Sequence, residues 1–515
     1  MTHLRGQASH HCCKEWAFHQ QVDHEAALSE QLLSCINAVN KSLTSYLDLI
    51  TLFFHNFQAG PYHLALDGVL ILCIIWLFTA KKRPSRLIKL TKEEEDDLIA
   101  EWIPEPLVPN PPEADHPSLN TRTVHGKVGR YIDLGTGDKM LNLGTHSYLN
   151  LGERPEVEKA ALLCLDKYGV GSCGPRAFYG TTQVHLELED RLAAYFNCEM
   201  SVLYSYGFST IASAIPAFSK SWDIIYADEM VNFSIQKGLQ ASRSRILFFR
   251  HNDVEHLEEL LKEQVILDKK DPKKANSTRK FLVVESIYMN TGKMCPLPLL
   301  VKLRQKYKLR LFIDESITFG TLGKNCRGIT EYFNIPMKEV DMIMATLETT
   351  AASAGGFCVG TKFVIDHQRL SGLGYCFSAS LPPMLAASVI KVIDILETEG
   401  PALMQKLHDN CRQLHVALST LPHKVELSGD EISPVKHLRL KESTGVQEED
   451  EAILRKIVKK AEKYGIALTV AAYLQDQEAH PPPPSIRITA NKDLTKKEID
   501  KAFKALKQAI DDVIE

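Results

Sequence analysis

Several patterns that mark common protein classes are absent from this sequence. Its twelve cysteines include no C-x-x-C pair, which excludes a zinc ribbon and a thioredoxin-like motif. It has no long basic run, and 60 Lys and Arg against 64 Asp and Glu give a net charge of −4, so we expect no nucleic-acid partner. No repeat is visible at the periods typical of solenoid proteins.

Composition excludes three further classes. With 44% apolar and 24% charged residues, the chain is neither wholly disordered nor a collagen-like fibre nor a polytopic membrane protein. Its 515 residues suit about three domain-sized units, or a two-lobed enzyme fold with an appendage. The adjacent His10, His11, Cys12 and Cys13 fit no standard ligand spacing, so we predict a solvated tail and no metal site there.

One long apolar run is present, at residues 64–80 (LALDGVLILCIIWLFTA), and Asp67 is its single charge. Extended back to residue 61, the run is just long enough to cross a thin bilayer. Lys81, Lys82 and Arg83 follow directly, so the positive-inside rule puts the C-terminal side in the cytosol. A signal-peptide core or a buried helix is the alternative, but some sixty residues precede the run and no A-x-A-like site follows it. We therefore predict a single-pass transmembrane helix.

The predicted helix and the patterns on either side of it divide the chain into five predicted parts. Residues 1–60 form an N-terminal extension on the lumenal side, in which the apolar stretch 43–54 would lie along the membrane surface. Residues 61–80 form the transmembrane helix, and 81–140 a basic, acidic and proline-rich linker. Residues 141–383 form a large domain, and residues 384–515 a smaller C-terminal domain.

The large domain is predicted to be an α/β sheet. Short apolar runs, buried on both faces, alternate with amphipathic helical stretches, as in a parallel sheet. The runs are SVLYSYG (201–207), DIIYADE (223–229), FLVVES (281–286), LRLFIDE (309–315) and DMIMATLE (341–348). A helix from about residue 386 to 397 is expected to lead into the smaller domain.

Candidate site residues follow from the rule that ligands of open α/β sheets bind at the carboxyl ends of the strands. Tyr206 and Gly207 begin a strand-to-helix turn whose backbone N–H groups suit a phosphorylated ring cofactor. Asp314 ends a strand, where its carboxylate can pair with a protonated ring nitrogen, and Glu285 ends the VVE run. Upstream lies the glycine-rich segment YGVGSCGPRAFYG, which contains Arg176.

The order of the motifs resembles the α-oxoamine synthase family of pyridoxal-phosphate enzymes, over about residues 140–500. The motifs are GVGSCGPRAFYGTTQVHLELE, YSYGF, ADEMVNFS, VVESIYMNTGKMCPL, FIDESITFG, ASAGGF, GYCFSASLPP and SIRIT. The resemblance implies a fold-type I transferase, with a mainly parallel large domain and a smaller C-terminal α/β domain. It also implies dimers with active sites at the subunit interface, which condense an amino acid with an acyl-CoA and release carbon dioxide.

This chain departs from the family at three reactive positions. The lysine that forms the Schiff base, six residues before the paired glycines, is replaced by Thr349, which has no amine. The two family histidines correspond to Asn232 and Ile317. Asp314 and Arg487, which in the family contact the cofactor ring and the substrate carboxylate, are retained. We therefore predict no catalytic residue in this chain, and a vestigial cleft formed by Tyr206, Gly207, Asp314 and Arg487.

The loop 171–180 is expected to form part of a neighbouring subunit's active-site wall, through Cys173, Gly174, Arg176 and Tyr179. Ser172 and Gly174 flank Cys173, so we expect little room there for a larger side chain. Arg176 either binds an anionic group or forms a structural ion pair.

Two alternatives concern other residues. Tyr179 and His185 are either site residues or ordinary packing residues. If the alignment at Thr349 is wrong, Lys237 or Lys362 is the nearest replacement lysine.

The resemblance implies a silent subunit whose cofactor, pyridoxal phosphate, is held by a homologous lysine-bearing partner. L-serine and palmitoyl-CoA are the implied substrates, and the endoplasmic reticulum membrane is the implied location, with the globular body in the cytosol. Small activating subunits and ORM-type regulators are implied as further partners. Two alternatives are an independently active homodimeric condensing enzyme and a pure scaffold that takes no part in the active site.

Overall fold

The computed structural model describes residues 61–79, 90–104, 119, 121–135, 137–471 and 473–514. The predictions made for residues 1–60, including the His10 to Cys13 tail and the stretch 43–54, lie outside these residues. The chain divides into two compact units, Met1–Glu113 and Ala114–Glu515.

The described part of the first unit contains two helices, α1 (Pro61–Thr79) and α2 (Lys92–Glu101). The side chains described in α1 are exposed, among them Leu72 and Trp76. Helix α2 begins at a capping box in which Thr91 and Glu94 bond each other's backbone, and none of its residues is buried. Among the described residues, no helix combines the length and the apolarity that crossing a membrane requires.

Fourteen strands form three sheets in the part of the chain that the structure describes. In chain order they are β1 (Tyr131–Asp133), β2 (Lys139–Asn142), β3 (Met200–Tyr204), β4 (Ile224–Asp228), β5 (Arg245–Phe249), β6 (Lys280–Glu285), β7 (Arg310–Asp314), β8 (Met342–Thr346), β9 (Gly356–Gly360), β10 (Val425–Ser428), β11 (Val435–Leu440), β12 (Ile466–Ala467), β13 (Thr469–Ala471) and β14 (Ser485–Thr489). The sheet orders are β3-β9-β8-β7-β6-β4-β5, β10-β11-β14-β13 and β1-β2-β12.

The second unit contains thirteen α-helices among its described residues. They are α3 (Pro155–Tyr168), α4 (Gln183–Phe196), α5 (Gly207–Phe218), α6 (Phe233–Ser242), α7 (Val254–Lys270), α8 (Pro272–Ser277), α9 (Leu297–Tyr307), α10 (Ile329–Tyr332), α11 (Lys362–Ser371), α12 (Leu373–Phe377), α13 (Pro383–Ser419), α14 (Gln447–Lys463) and α15 (Lys496–Val513). Short 3-10 turns occur at Leu151–Glu153 and Met337–Glu339.

The large sheet contains all five predicted strands and two that the sequence did not predict. Every residue of β4 and β8 is buried, as the continuous apolar runs indicated. The sheet is mixed, because β9 runs antiparallel to both β3 and β8. Only nine residues separate β8 from β9, too few for the crossover that a parallel return needs. The turn ends at Gly355, which has a φ of +110° and whose Cβ would lie 2.9 Å from the Tyr204 carbonyl oxygen.

The C-terminal part differs from the prediction in two ways. Helix α13 has 37 residues, rather than the predicted twelve or so, and it continues through Pro401 because buried apolar residues recur along its length. Strand β1 lies within the segment predicted to be a linker, β2 begins in that segment and crosses its predicted end at residue 140, and β2 pairs with β12 in the C-terminal region. Residues from both ends of the second unit therefore form one small lobe.

Candidate functional site

The site centres on two carboxylates at the carboxyl ends of neighbouring strands. Glu285 ends β6, Asp314 ends β7, and the two residues are register partners. Both are buried. Burial raises the pKa of both carboxyls, and for Glu285 the charge of Asp314 raises the pKa further, to well above its ordinary range. The pair therefore retains a proton at a higher pH than free carboxyls would.

Asn232 lies between these carboxyls. Its Nδ2 donates to Asp314 Oδ2 at 2.8 Å, and its backbone N–H donates to Glu285 Oε1 at 2.6 Å. Its Oδ1 accepts from the Ile235 N–H and so caps helix α6. The other oxygen of Asp314 accepts from the Ser316 N–H at 2.8 Å. Both oxygens of Asp314 are therefore bonded within this chain.

The position of the family lysine is also occupied by an internal contact. Thr349 is buried, and its hydroxyl donates to the Ser316 carbonyl oxygen at 2.6 Å. Ile317, at the position of the second family histidine, is a core residue with 1% exposure. Neither side chain supplies an amine or an imidazole.

A further carboxylate, which the sequence analysis missed, lies at the N-terminus of α5. The Gly207 N–H donates to Glu348 Oε1 at 3.1 Å. Glycine is needed at 207, since a Cβ there would lie 2.2 Å from Thr346 Oγ1. The positive end of a helix favours an anion, and Glu348 supplies one where a cofactor phosphate was expected. The available signal was an acidic residue directly before Thr349, in the segment TLETT.

These contacts test whether pyridoxal phosphate fits the cleft. A phosphate at Gly207 would face the carboxylate of Glu348, and a ring nitrogen at Asp314 would compete with Asn232. No amine is present at Thr349 to hold the aldehyde carbon. The residues of this cleft do not fit the cofactor.

Arg487 keeps an unused hydrogen-bond donor. It lies on β14, where its Nη2 donates to the Gly144 carbonyl oxygen at 3.1 Å. Its Nε has no hydrogen-bond partner among the described residues. Burial lowers the pKa of Arg487, and burial also lowers that of His437, its register partner, to about 3. Arg487 therefore keeps one buried N–H donor that no described residue of this chain uses.

Arg176 forms a structural ion pair. Its Nη1 lies 2.9 Å from Glu189 Oε1, and both side chains are 4% exposed. Glu189 also accepts from the Leu203 N–H at 2.9 Å, which ties the loop to strand β3. The ion-pair alternative for Arg176 is therefore the one found, and Arg176 is not available to an anionic ligand.

The rest of the loop 171–180 is held by its backbone. The Gly174 carbonyl oxygen accepts from the Ser380 N–H at 3.0 Å, and a Cβ at Gly174 would lie 2.7 Å from the Phe178 carbonyl oxygen. Cys173 is exposed and has a φ of +58°, so the expected tight packing around its side chain is absent in this chain. Tyr179 is fully exposed, so it is not a packing residue of this chain's own core.

His185, by contrast, is a packing residue. It is fully buried, its Nδ1 accepts from the Thr182 N–H at 3.1 Å to cap α4, and its Nε2 lies 2.6 Å from the Leu381 carbonyl oxygen. The two alternative lysines also have structural contacts. Lys237 lies over the Phe233 ring, and Lys362 pairs with Asp366 at 2.5 Å.

An exposed apolar patch adjoins the loop. Phe178 stacks on Phe377 with the ring centroids 6.5 Å apart, and both rings are more than half exposed. The apolar patch consists of these two rings and four exposed residues from the loop and from the starts of α5 and α12: Tyr179, Tyr206, Phe208 and Leu373. Exposed aromatic side chains of this kind are typical of a protein interface.

Comparison with known proteins agrees with this architecture. The family model for aminotransferase class I and II matches residues 138–506. Serine palmitoyltransferase 1 of Dictyostelium discoideum is 40% identical over 460 residues, which cover 88% of this chain and 95% of that protein. Long chain base biosynthesis protein 1 of Arabidopsis thaliana is 37% identical over 454 residues, covering 88% and 92%.

A solved structure shows the same fold. The serine palmitoyltransferase of Sphingomonas wittichii superposes with a TM-score of 0.67 at 23% identity, covering 82% of this chain and 96% of that one. The chain therefore belongs to the aminotransferase class I and II family, and within it to the group that contains the proteins named serine palmitoyltransferase 1 and long chain base biosynthesis protein 1.

Proposed function

We propose that the chain is a non-catalytic subunit of a serine palmitoyltransferase. A homologous lysine-bearing subunit would hold pyridoxal phosphate and condense L-serine with palmitoyl-CoA to 3-ketodihydrosphingosine, in sphingolipid synthesis. The observation that carries the proposal is that this chain's own side chains occupy its cofactor cleft. Asn232 bonds Asp314, and Glu348 bonds the Gly207 N–H.

Electrostatics supports the assignment of the cofactor to the partner. The N-terminus of a helix has free backbone N–H groups, which favour the binding of one anion such as a phosphate group. In this chain the carboxylate of Glu348 already supplies that anion. The half-buried amide of Asn232 likewise takes the place of a cationic ring donor at Asp314.

The apolar patch supports a role beside a partner's active site. It includes Phe178 and Tyr179 of a loop whose backbone is bonded to Ser380, so the loop can present a defined shape to a second subunit. Cys173 and Tyr179 are the exposed members of the predicted active-site wall. Because the backbone at Gly174 is tightly packed, this wall is rigid on its own side of the interface.

The proposal is tested by turnover of three preparations: this chain alone, the co-expressed pair, and the pair whose partner lacks its Schiff-base lysine. We expect condensation of L-serine with palmitoyl-CoA by the intact pair only. Turnover by this chain alone would establish the homodimeric alternative. Full turnover by pairs carrying bulky changes in the loop 171–180, with normal complex yield, would establish the scaffold alternative.

We also propose that the predicted segment 61–80 anchors the chain in the endoplasmic reticulum membrane, with the globular body in the cytosol. Its described helix, α1, displays exposed apolar side chains such as Leu72, Trp76 and Leu77, and basic residues follow at 81–83. A glycosylation site placed before residue 40 should be modified, and one at the C-terminus should not. The opposite pattern would reverse the topology, and release of the chain by carbonate washing would refute the anchor.

Small activating subunits and ORM-type regulators are further proposed partners, on the basis of the family resemblance. Purification of the pair from membranes, followed by mass spectrometry of the bound chains, tests this proposal. Their absence from an active complex would refute it.

A further inference from the structure

A second cavity lies at the amino ends of the strands of the large sheet, whereas the cofactor cleft lies at their carboxyl ends. Its volume is about 520 Å³, and its walls include Arg310 at the start of β7 and Val340 just before β8. Asp314 ends β7, so roughly 13 Å of strand separates the two sites. The proposed function assigns no role to this cavity.

The floor of the cavity is aromatic. The rings of Phe281 and Phe312 lie 5.4 Å apart between centroids, and those of Phe218 and Phe312 lie 5.5 Å apart. At its mouth, Phe363 on α11 is 84% exposed. Large apolar side chains that are exposed in a concave site favour the binding of an apolar ligand.

The rim of the cavity is basic. Four cationic side chains line it: Arg279, Arg304, Arg310 and Lys338. Three carboxylates pair with the arginines: Asp223, Glu339 and Asp341. Lys338 has no ion pair among the described residues, so one positive charge remains at the rim.

We propose that this cavity binds a single-chain amphiphile with one anionic head, such as a long-chain carboxylate. The chain lies on the aromatic floor, and the head pairs with Lys338 at the rim. The volume is within the range of small-molecule sites, and the single uncompensated charge matches a single anionic head. This proposal does not depend on the function of the cofactor cleft.

Photo-crosslinking with a diazirine-bearing dodecanoic acid tests the proposal, on the full-length chain in phosphatidylcholine nanodiscs. We expect labelled peptides from α11 and from the region of Lys338. Free dodecanoate should compete at least tenfold better than dodecanol, which has the same chain and no charge. Each pair of methylenes removed from the competitor should weaken it roughly tenfold.

Matched variants locate the site. Lys338→Glu and Phe363→Glu should each reduce the labelling about tenfold, and Lys338→Arg should retain it. The controls are Lys302→Glu on α9 and Leu370→Glu on α11, which replace exposed residues outside the cavity and should leave labelling unchanged.

Three outcomes would overturn the proposal. The first is labelling that persists in both Lys338→Glu and Phe363→Glu, and the second is equal competition by dodecanol. The third is displacement of the probe by phosphatidylserine in the disc at the same concentration as dodecanoate, which would identify a lipid headgroup as the ligand.

Discussion

Asn232 Nδ2 lies 2.8 Å from Asp314 Oδ2, and this contact joins the cap of helix α6 to the carboxylate at the end of strand β7. The same residue caps the helix through its Oδ1 and bonds Glu285 through its backbone. One residue therefore contacts three elements of the cleft, two through its side chain and one through its backbone. A histidine at this position would present a ring to the cofactor, whereas asparagine presents an amide to the protein.

Three substitutions separate the two roles of Asn232. Asn232→Ser keeps a capping oxygen but loses the amide donor to Asp314, so the free energy of unfolding should fall by about 1 to 3 kcal/mol. Asn232→Ala loses the cap as well and should cost about 1 kcal/mol more. Asn232→Asp keeps the cap but adds a third carboxyl beside Glu285 and Asp314.

The aspartate variant should be the least stable of the three at pH 7 and should recover as the pH falls, because protonation removes the repulsion. Urea unfolding of the purified variants at pH 7 and pH 5 measures both effects. Equal stability of the serine and aspartate variants at pH 7 would show that a negative charge at residue 232 does not repel the carboxyls of Glu285 and Asp314.

Thr349→Lys should not create a cofactor site. The new amine would lie near Asp314 and Gly207, but Asn232 and Glu348 would still occupy the contacts needed for the ring nitrogen and the phosphate. We expect no aldimine absorbance when the purified variant is mixed with pyridoxal phosphate, and no turnover. A stable aldimine band from this single change would show that the cleft accommodates the cofactor.

Glu315 should make stability depend on pH. Burial raises the pKa of this carboxyl from 4.5 to about 7, although the Thr318 hydroxyl and the Ile329 N–H donate to it. Between these values the native state binds a proton that the unfolded state has lost, so stability falls as pH rises from about 4.5 to 7 and is level above. The full effect is on the order of 3 kcal/mol.

Glu315→Gln is the control for this effect, because it is isosteric and does not titrate. The difference in unfolding free energy between the two proteins should therefore change across pH 4.5 to 7 and be constant from pH 7.5 to 8.5. Parallel pH profiles would contradict the raised pKa.

Substitutions of Cys173 and of Arg176 should have different effects on stability and turnover. Cys173→Trp alters an exposed side chain, so the isolated chain should lose less than about 0.5 kcal/mol. In the assembled pair it should lower turnover, about tenfold for each 1.4 kcal/mol of strain transmitted to the partner's site. Arg176→Ala leaves Glu189 buried with only Arg369 as an ion-pair partner and should destabilise the chain itself by about 3 kcal/mol.

Thermal unfolding of the isolated chain, alongside turnover and yield of the pair, distinguishes these outcomes. Unchanged turnover of the Cys173→Trp pair at normal yield would refute the shared wall.

The sequence predicted what depends on local patterns. Apolar runs located five strands of the large sheet, and the sequence placed Asp314 and Glu285 at strand ends, which the structure brings together on adjacent strands. The motif order identified Thr349, Asn232 and Ile317 as substituted positions. The antiparallel β9 was missed, because its direction depends on the short connection from β8 and on close approach at Gly355.

Contacts between distant residues could not be predicted in this way. Glu348 and Gly207 are 141 residues apart, and no local pattern indicates that the carboxylate folds onto that helix end. The ion pair of Arg176 with Glu189 follows from the way the loop packs on α4 and β3, so the sequence left two alternatives open. The exposure of Cys173 in this chain was not predicted, because small neighbours in sequence do not determine whether a side chain faces the protein or the solvent.

The most direct test of the account is borohydride reduction of the purified pair after incubation with pyridoxal phosphate, followed by mass spectrometry to locate the pyridoxyl-lysine. We expect stoichiometric label on one lysine of the partner subunit and none on this chain, whether it is alone or paired. Stoichiometric label on one lysine of this chain, Lys237 and Lys362 included, that disappears when that lysine alone is changed would contradict it.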